Sequence, residues 1–524
     1  MIIRTGIVVL CVSITIAANT PINATPALML SPFIKQNRLQ EARNASSVNS
    51  TLFLNITSHA GFLTVDSSYN SNMFFWYFPV AGKPVNETPW IIWLQGGPGA
   101  SSLAGLFDEI GPFQYDSAQL KRRQWSWGNN YSLLFVDNPV GAGFSFTDKQ
   151  DGFVKDMETC SKYLYNALQQ FLTIFPELRT APLYIAGESY AGRYVPAFGY
   201  KILEEQPTGN ASINLKGLTM GNPIIDRIDA ANISSVYYHW GLLDTQGLLA
   251  VKPLQDKYSQ AVEQNNLQEA WDLRDQLNQL LVDISQQPNH FNLLNESGNL
   301  RSFTGFIDQP HIKEALHVGT IQFTFNNGSV DDALMKDFLG PIRPKLENLL
   351  EHYKIMVYCG QLDLTAPCEL AADSRRKRWH WSHRDDFLKA PRRPWTVNGT
   401  LAGYVKQGGG LTEVLVRASG HLVPRDAPAQ AYQLINSFIS QNATSWYYTD
   451  KAEYTPMTVE KDPLGALGLK MEGRNGMLAT SIVINVILLF TLIVFLAFYI
   501  KWKWQREHSE RDRVYYSPLL TSDI

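Results

Sequence analysis

The chain has 524 residues, of which 45% are hydrophobic and 12% aromatic. That is enough apolar material for a large buried core, and the length allows roughly two to four domains. Its 45 Lys and Arg stand against 48 Asp and Glu for a formal charge of -3, which excludes nucleic acid as the expected partner.

Met1 to about Ala18 carries one arginine, an apolar stretch from Ile7 to Ile16 and the small pair Ala17-Ala18, the pattern of a cleaved secretory signal. Residues 19–54 read as an N-terminal extension. With Cys11 removed in the signal, Cys160, Cys359 and Cys368 remain, so at most one intramolecular disulfide can form. Cys359 and Cys368 are the nearer pair and bracket Asp363; the sequence does not say whether they bond.

Apolar runs then alternate with helical stretches. Strands are expected at Phe74–Val80, Trp90–Leu94, Leu133–Asp137, Leu183–Ala186, Leu215–Met220, Lys354–Tyr358 and Glu413–Val416, and helices at Lys155–Phe175 and Ala427–Ser440. Unbroken apolar strands separated by helices predict an α/β fold with a mostly parallel sheet covered on both faces. The core is expected in two parts, 55–225 and 341–443. Residues 226–340 between them are polar, Gln- and Asn-rich and helical around Leu254–Ile284, and they read as a helical lid inserted over the catalytic edge. The run Ser374-Arg375-Arg376-Lys377-Arg378 has the form of a proprotein-convertase site, but a solvated basic loop is the reading adopted.

Residues 444–476 form a polar stalk ahead of Met477–Ile500, which holds no charge and is about the ~20 residues a membrane-crossing helix needs. Lys501, Lys503 and Arg506 follow, placing the tail 501–524 in the cytoplasm. The expected topology is single-pass type I, with the lipid bilayer as a partner and the body in the lumen of the Golgi, endosome or lysosome or outside the cell. The N-x-S/T sites agree, because Asn23, Asn44, Asn49, Asn55, Asn86, Asn130, Asn210, Asn232, Asn295, Asn327, Asn398 and Asn442 all precede the apolar segment. In the tail, Tyr516 to Leu519 forms a Tyr-x-x-hydrophobic pattern that a sorting adaptor could read.

Gly187-Glu188-Ser189-Tyr190-Ala191-Gly192 follows the strand Leu183–Ala186. Small residues on either side of Ser189 permit the sharp strand-to-helix turn that presents a nucleophilic hydroxyl. A serine nucleophile needs a base, and the base an orienting carboxylate. Asp363 lies just past one apolar strand and His421, in Ser419-Gly420-His421, just past another. The order Ser, Asp, His is that of α/β-hydrolases. Gly96-Gly97-Pro98-Gly99, at the end of Trp90–Leu94, would let the Gly97 N–H join the Tyr190 N–H as an oxyanion hole.

At these blocks, together with Asp137-Asn138-Pro139-Val140-Gly141-Ala142-Gly143-Phe144-Ser145 and Gly221-Asn222-Pro223, the chain resembles the serine carboxypeptidase family, a branch of the α/β-hydrolases. Its Gln-Gly-Gly-Pro-Gly form looks most like the vitellogenic-like carboxypeptidases. The resemblance implies a luminal peptidase that releases C-terminal residues from peptides through an acyl-enzyme in acid. It assigns Ser189 as nucleophile, His421 as base, Asp363 as orienting acid, and Gly97 with Tyr190 as oxyanion donors. It further implies that Trp93, Gln95, Gly96, Glu109 and Glu188 grip the substrate's terminal carboxylate, with a protonated carboxyl donating to it. Gln95 stands where most of the family has Asn, and Ala100 where it has Cys. No metal or organic cofactor is called for. The alternatives are an acyltransferase sharing the acyl-enzyme, or a non-catalytic ectodomain on a hydrolase fold.

Overall fold

The computed structural model describes residues 25–206, 212–225, 232–295 and 303–440, with Trp446, Tyr499 and Lys501 besides. The chain divides into two units, Met1–Lys451 and Ala452–Ile524. The expected signal, most of the stalk, the membrane segment apart from Tyr499, and the sorting pattern at Tyr516 and Leu519 lie outside the described residues. So do the sequons Asn23, Asn210 and Asn442. Among the described residues no helix is long and apolar enough to cross a membrane.

The first unit is built on a ten-stranded sheet. In chain order its strands are β1 (His59–Asp66), β2 (Ser71–Phe78), β3 (Trp90–Leu94), β6 (Ser132–Val136), β7 (Leu183–Glu188), β8 (Leu215–Gly221), β9 (Lys354–Gly360), β10 (Arg392–Val397), β11 (Thr400–Gly408) and β12 (Leu411–Val416). A separate hairpin pairs β4 (Phe113–Asp116) with β5 (Gln119–Arg122). The spatial order is β1-β2-β6-β3-β7-β8-β9-β12-β11-β10. From β6 to β12 neighbouring strands are parallel, and the outer pairs on both sides are antiparallel.

Alternation along the inner strands explains why the sheet is covered twice. Trp90, Ile92 and Leu94 enter one core while Ile91 and Trp93 enter the other, and Ile355 and Val357 oppose Met356 and Tyr358 in the same way. Each such side chain contributes on the order of 1.5–3 kcal/mol by leaving water, so both faces hold the sheet. On the first face lies the helix Met157–Ile174. It starts where the Asp156 side chain accepts from the Thr159 N–H at 2.7 Å. Its buried Cys160, Leu164, Ala167, Phe171 and Ile174 recur at three- and four-residue spacing, and it stops ahead of Pro176.

The expected inner strands form: Trp90–Leu94 with the expected bounds, those at 183, 215, 354 and 413 longer by one or two residues, and Ser71–Phe78 and Ser132–Val136 displaced toward the N-terminus. Unforeseen were β1, β10 and β11. The last two carry Arg, Lys, Gln and Thr with one exposed side, so no continuous apolar run marks them. The helical text at 254–284 is two helices, Thr245–Glu263 and Leu267–Ser285, broken where Asn265 adopts φ +58°. They share a small core that includes Val251, Tyr258, Leu273 and Leu281.

The basic run is no solvated loop: it forms the last turns of the helix Cys368–Arg378, where cations suit the helix dipole. There Arg375 is buried, its Nε donating to Glu413 Oε2 at 2.9 Å. Cys359 and Cys368 are bonded, their Cα atoms 5.8 Å apart, and Cys160 is a buried free thiol.

Candidate active site

Strand β7 ends at Glu188, and the helix Ala191–Glu204 begins three residues later. Ser189 between them takes φ +62°, a left-handed conformation that a non-glycine residue adopts only under constraint. Close packing supplies the constraint. A Cβ on Gly187 would lie 2.7 Å from the Leu94 carbonyl oxygen, and one on Gly192 would lie 2.6 Å from Pro223 Cβ. The Ser189 N–H donates to the Gly221 carbonyl at 2.9 Å, and the Ile224 N–H donates to the Ser189 carbonyl at 3.0 Å. Its neighbours Glu188 and Tyr190 are buried, while Ser189 keeps partial exposure.

Asp363 follows β9 and His421 follows β12, on adjacent parallel strands, so both side chains come to one edge of the sheet. His421 Nδ1 lies 2.8 Å from Asp363 Oδ2. That oxygen also accepts from Asn222 Nδ2 at 2.5 Å, and Asp363 Oδ1 accepts from the Thr365 N–H at 2.7 Å. Three donors therefore satisfy the buried carboxyl group, which in turn orients His421 through Nδ1. The Phe291 ring stacks on the imidazole at 5.0 Å, and the Phe291 carbonyl accepts the His421 N–H at 2.5 Å. His421 Nε2 is buried with no hydrogen-bond partner. It faces a cavity of about 490 Å³ that Ser189 also lines.

The glycine loop after β3 closes beside the elbow. A Cβ on Gly96 would stand 2.5 Å from the Tyr190 nitrogen, and Gly97 takes φ +111°. Among the described residues neither the Gly97 nor the Tyr190 N–H is taken by another backbone carbonyl. Asp137 pins the loop from below. Its Oδ1 accepts from Ser101 Oγ at 2.6 Å and the Ser102 N–H at 2.9 Å, and its Oδ2 accepts from the Phe144 N–H at 2.9 Å. Burial pushes this carboxyl up to about 6 in spite of those donors.

Two carboxyl groups, Glu109 and Glu188, also line the cavity. Gln95 Nε2 donates to Glu109 Oε1 and to Glu188 Oε1, each at 3.2 Å. Its own Oε1 accepts from Trp93 Nε1 at 2.8 Å. An indole N–H can only donate, so it fixes the amide with the oxygen toward Trp93 and the nitrogen toward the carboxyls. Both glutamates are buried, and Glu109 Oε2 and Glu188 Oε2 have no donor. Burial raises the pKa of Glu188 well above the carboxylate range, and the charges of Glu109 and Asp363 raise it further. Glu109 is raised as well, chiefly by burial. A proton on Glu188 supplies the donor that two carboxylates facing each other lack.

Of the residues expected at the site, Gln95, Gly96, Gly97, Glu109, Glu188, Ser189 and His421 line the cavity. Asp363 stands behind His421. Trp93 does not reach the cavity and acts through Gln95. The Tyr190 ring turns away to stack on Phe338 at 5.4 Å, leaving only its backbone at the site. Sequence reasoning gave no role to Asn222, although it sits in a motif block, and none to Phe291, whose polar surroundings give no signal. It also named none of the insertion's lining residues, among them Tyr258, Arg274, Asn278 and Phe338. Among the described residues no group of three or more His, Cys, Asp or Glu side chains is placed to hold a metal ion.

The family model described as serine carboxypeptidase matches residues 48–441. A venom serine carboxypeptidase of Apis mellifera is 37% identical over 425 residues, covering 78% of this chain and 90% of its own. The vitellogenic carboxypeptidase of Aedes aegypti is 35% identical, covering 79% and 90%. The probable serine carboxypeptidase CPVL of Homo sapiens is 35% identical, covering 79% and 89%. Among solved structures, Kex1(delta)p, a prohormone-processing carboxypeptidase from Saccharomyces cerevisiae, aligns with a TM-score of 0.68 at 24% identity. It covers 76% of this chain and 96% of its own, a likeness of fold.

Proposed function

The chain belongs to the serine carboxypeptidase family and is a hydrolase of that type, and from that premise we propose how its cavity does the work. Ser189 is the nucleophile, His421 the base and Asp363 the group that orients the base. A peptide enters with its terminal carboxylate against Gln95, Glu109 and Glu188, which brings the last amide bond over Ser189. As Ser189 Oγ attacks, its proton passes to His421 Nε2, and the Gly97 and Tyr190 N–H groups receive the negative charge forming on the carbonyl oxygen. The protonated imidazole then gives that proton to the departing amine. Water, activated by the same nitrogen, hydrolyses the ester on Ser189.

One observation carries this reading. The unpartnered His421 Nε2 and Ser189 face the same cavity as a buried glutamate pair in want of a proton. That pair favours release of single C-terminal residues at acidic pH over endopeptidase cleavage. Mass spectrometry of peptides incubated with the protein should find stepwise loss from the C-terminus, abolished in Ser189→Ala together with fluorophosphonate labelling. Internal cleavage would contradict the assignment, and ester products formed in the presence of an alcohol would favour the acyltransferase.

The uncharged stretch 477–500 followed by basic residues supports a type I anchor that holds the enzyme in a luminal or extracellular space. Release into the soluble fraction by alkaline carbonate would refute the anchor. Adaptor-mediated delivery to endosomes or lysosomes through Tyr516 and Leu519 is tested by Tyr516→Ala, which should redistribute the protein.

A further inference from the structure

A smaller cavity of about 140 Å³ adjoins the first and shares Tyr258, Arg274, Asn278 and Thr365 with it. Arg274 and Asn278 are four residues apart on Leu267–Ser285 and therefore present to one side of that helix. The guanidinium carbon of Arg274 is 3.6 Å from the Trp271 ring centroid and 4.9 Å from that of Phe338. Phe338 in turn stacks on Tyr190, the residue after Ser189. Two aromatic contacts thus connect this cation to the elbow, on the wall that Pro223 and Ile224 continue.

Two carboxyl groups act on this charge: Asp275, which it bonds, and Asp331, which lies near it without forming an ion pair. Arg274 Nε and Nη2 both donate to Asp275 Oδ1, at 3.1 and 2.9 Å, but the Asp275 side chain is 60% exposed, and such pairs are weakened by solvent. Among the described residues Nη1 has no partner. Of the side chains lining the larger cavity, Arg274 is the one permanent cation. The carboxyls of Glu109 and Glu188 are engaged with Gln95.

We propose that Arg274, with Asn278 beside it, selects peptides carrying aspartate or glutamate immediately before the bond that is cut. This rests on the preceding assignment, in which the terminal carboxylate lies at Gln95 and the acyl group therefore extends toward the insertion. A half-buried guanidinium braced on two rings presents Nη1 as a ready donor, and a carboxylate is the side chain that satisfies it.

The test is kcat/KM of the intact protein on four blocked dipeptides with a common C-terminal Phe and Glu, Gln, Leu or Lys before it. It is run above about pH 5, where the substrate glutamate is ionised. Glu should exceed its isostere Gln by about 10- to 100-fold. Arg274→Gln should erase that ratio while leaving the Leu peptide within about threefold of the parent. Arg274→Lys should retain a preference for Glu, and Arg274→Glu should favour Lys. Equal cleavage of Glu and Gln by the parent, or an equal loss on all four substrates in Arg274→Gln, overturns the inference while leaving the carboxypeptidase assignment intact. Failure to cleave even the Leu peptide would overturn both.

Discussion

Raising the pH should weaken hydrolysis of peptides more than hydrolysis of esters that lack a terminal carboxylate. Glu188 and Glu109 are buried, share the Gln95 amide, and have pKa values raised first by burial. While protonated, Glu188 can donate to an incoming carboxylate; once ionised it repels one. At a separation of ~4 Å and an effective dielectric constant of about 20 that repulsion is about 4 kcal/mol, or about a thousandfold in binding. Above the apparent pKa of the pair, 1/KM for a peptide should fall about tenfold per pH unit until that limit. An ester with a blocked terminus reports the chemical step without this cost. Glu188→Gln presents an N–H donor at every pH, so its peptide profile should flatten and cross above the parent in the alkaline range. Any fall that remains reports Glu109, and the double change Glu109→Gln with Glu188→Gln should remove it. The assay is initial rates for matched peptide and ester across the pH range in the parent and both variants. Parallel profiles for the two substrates, or for parent and Glu188→Gln, would refute the reasoning.

Three other outcomes follow from the geometry. The raised carboxyl pKa values mean that the folded state holds protons the unfolded chain would release. Thermal stability should therefore fall as pH rises from the unfolded carboxyl range toward the folded values, with Asp108, pushed up to about 7 by burial, acting in the same direction. Melting curves should show Glu188→Gln losing less stability than the parent over that range. Asn222→Ala removes a 2.5 Å donor from Asp363 and should lower kcat about tenfold with KM little changed, whereas Asp363→Asn should cost about 10⁴-fold by favouring the wrong tautomer of His421. Glycan mapping of folded material should find Asn44, Asn55, Asn86 and Asn398 modified, since they are exposed. Asn130 and Asn327 should be bare, because the Asn130 amide donates to Tyr432 and Asn436 and the Asn327 amide to the Gly141 carbonyl.

The inner strands could be read because burial on both faces leaves an unbroken apolar run, as in Trp90-Ile91-Ile92-Trp93-Leu94, and the residues proposed as the triad stood out because each follows such a run. The strands β10 and β11 could not, since Arg392–Val397 and Thr400–Gly408 look polar wherever water covers one face. Pairing of Cys359 with Cys368 depends on a Cα separation of 5.8 Å, which nine intervening bonds of sequence do not determine. Arg375 was hidden differently. A run of cations gives no sign that one member turns inward, and its partner Glu413 belongs to a strand 38 residues away. Arg274 was invisible for the same reason: its proposed role rests on Trp271 on its own helix and on Phe338, which lies far along the chain.

The position of Glu188 would tie the proposed end recognition to catalysis. It is the last residue of β7, so its backbone shares the strained turn that raises Ser189, while its side chain points to Gln95 on the neighbouring strand's exit loop. A shift of that strand end by an ångström would displace the nucleophile and the carboxyl together, preserving the one-residue spacing between terminal carboxylate and attacked bond. Residues 226–340 reach the cavity at several places: Phe291 stacks on His421, Asn326 lies against Gly97, and Arg274 and Phe338 line a further stretch. Arg193, on the helix after the elbow, is buried and donates from Nε to Asp337 at 3.0 Å, and Tyr190 packs on Phe338 beside it. The wall carrying Arg274 is thus anchored to the elbow through Asp337 and Phe338. On the proposed assignments, selection of the terminus falls to the strand ends, and selection of the residue before it to Arg274.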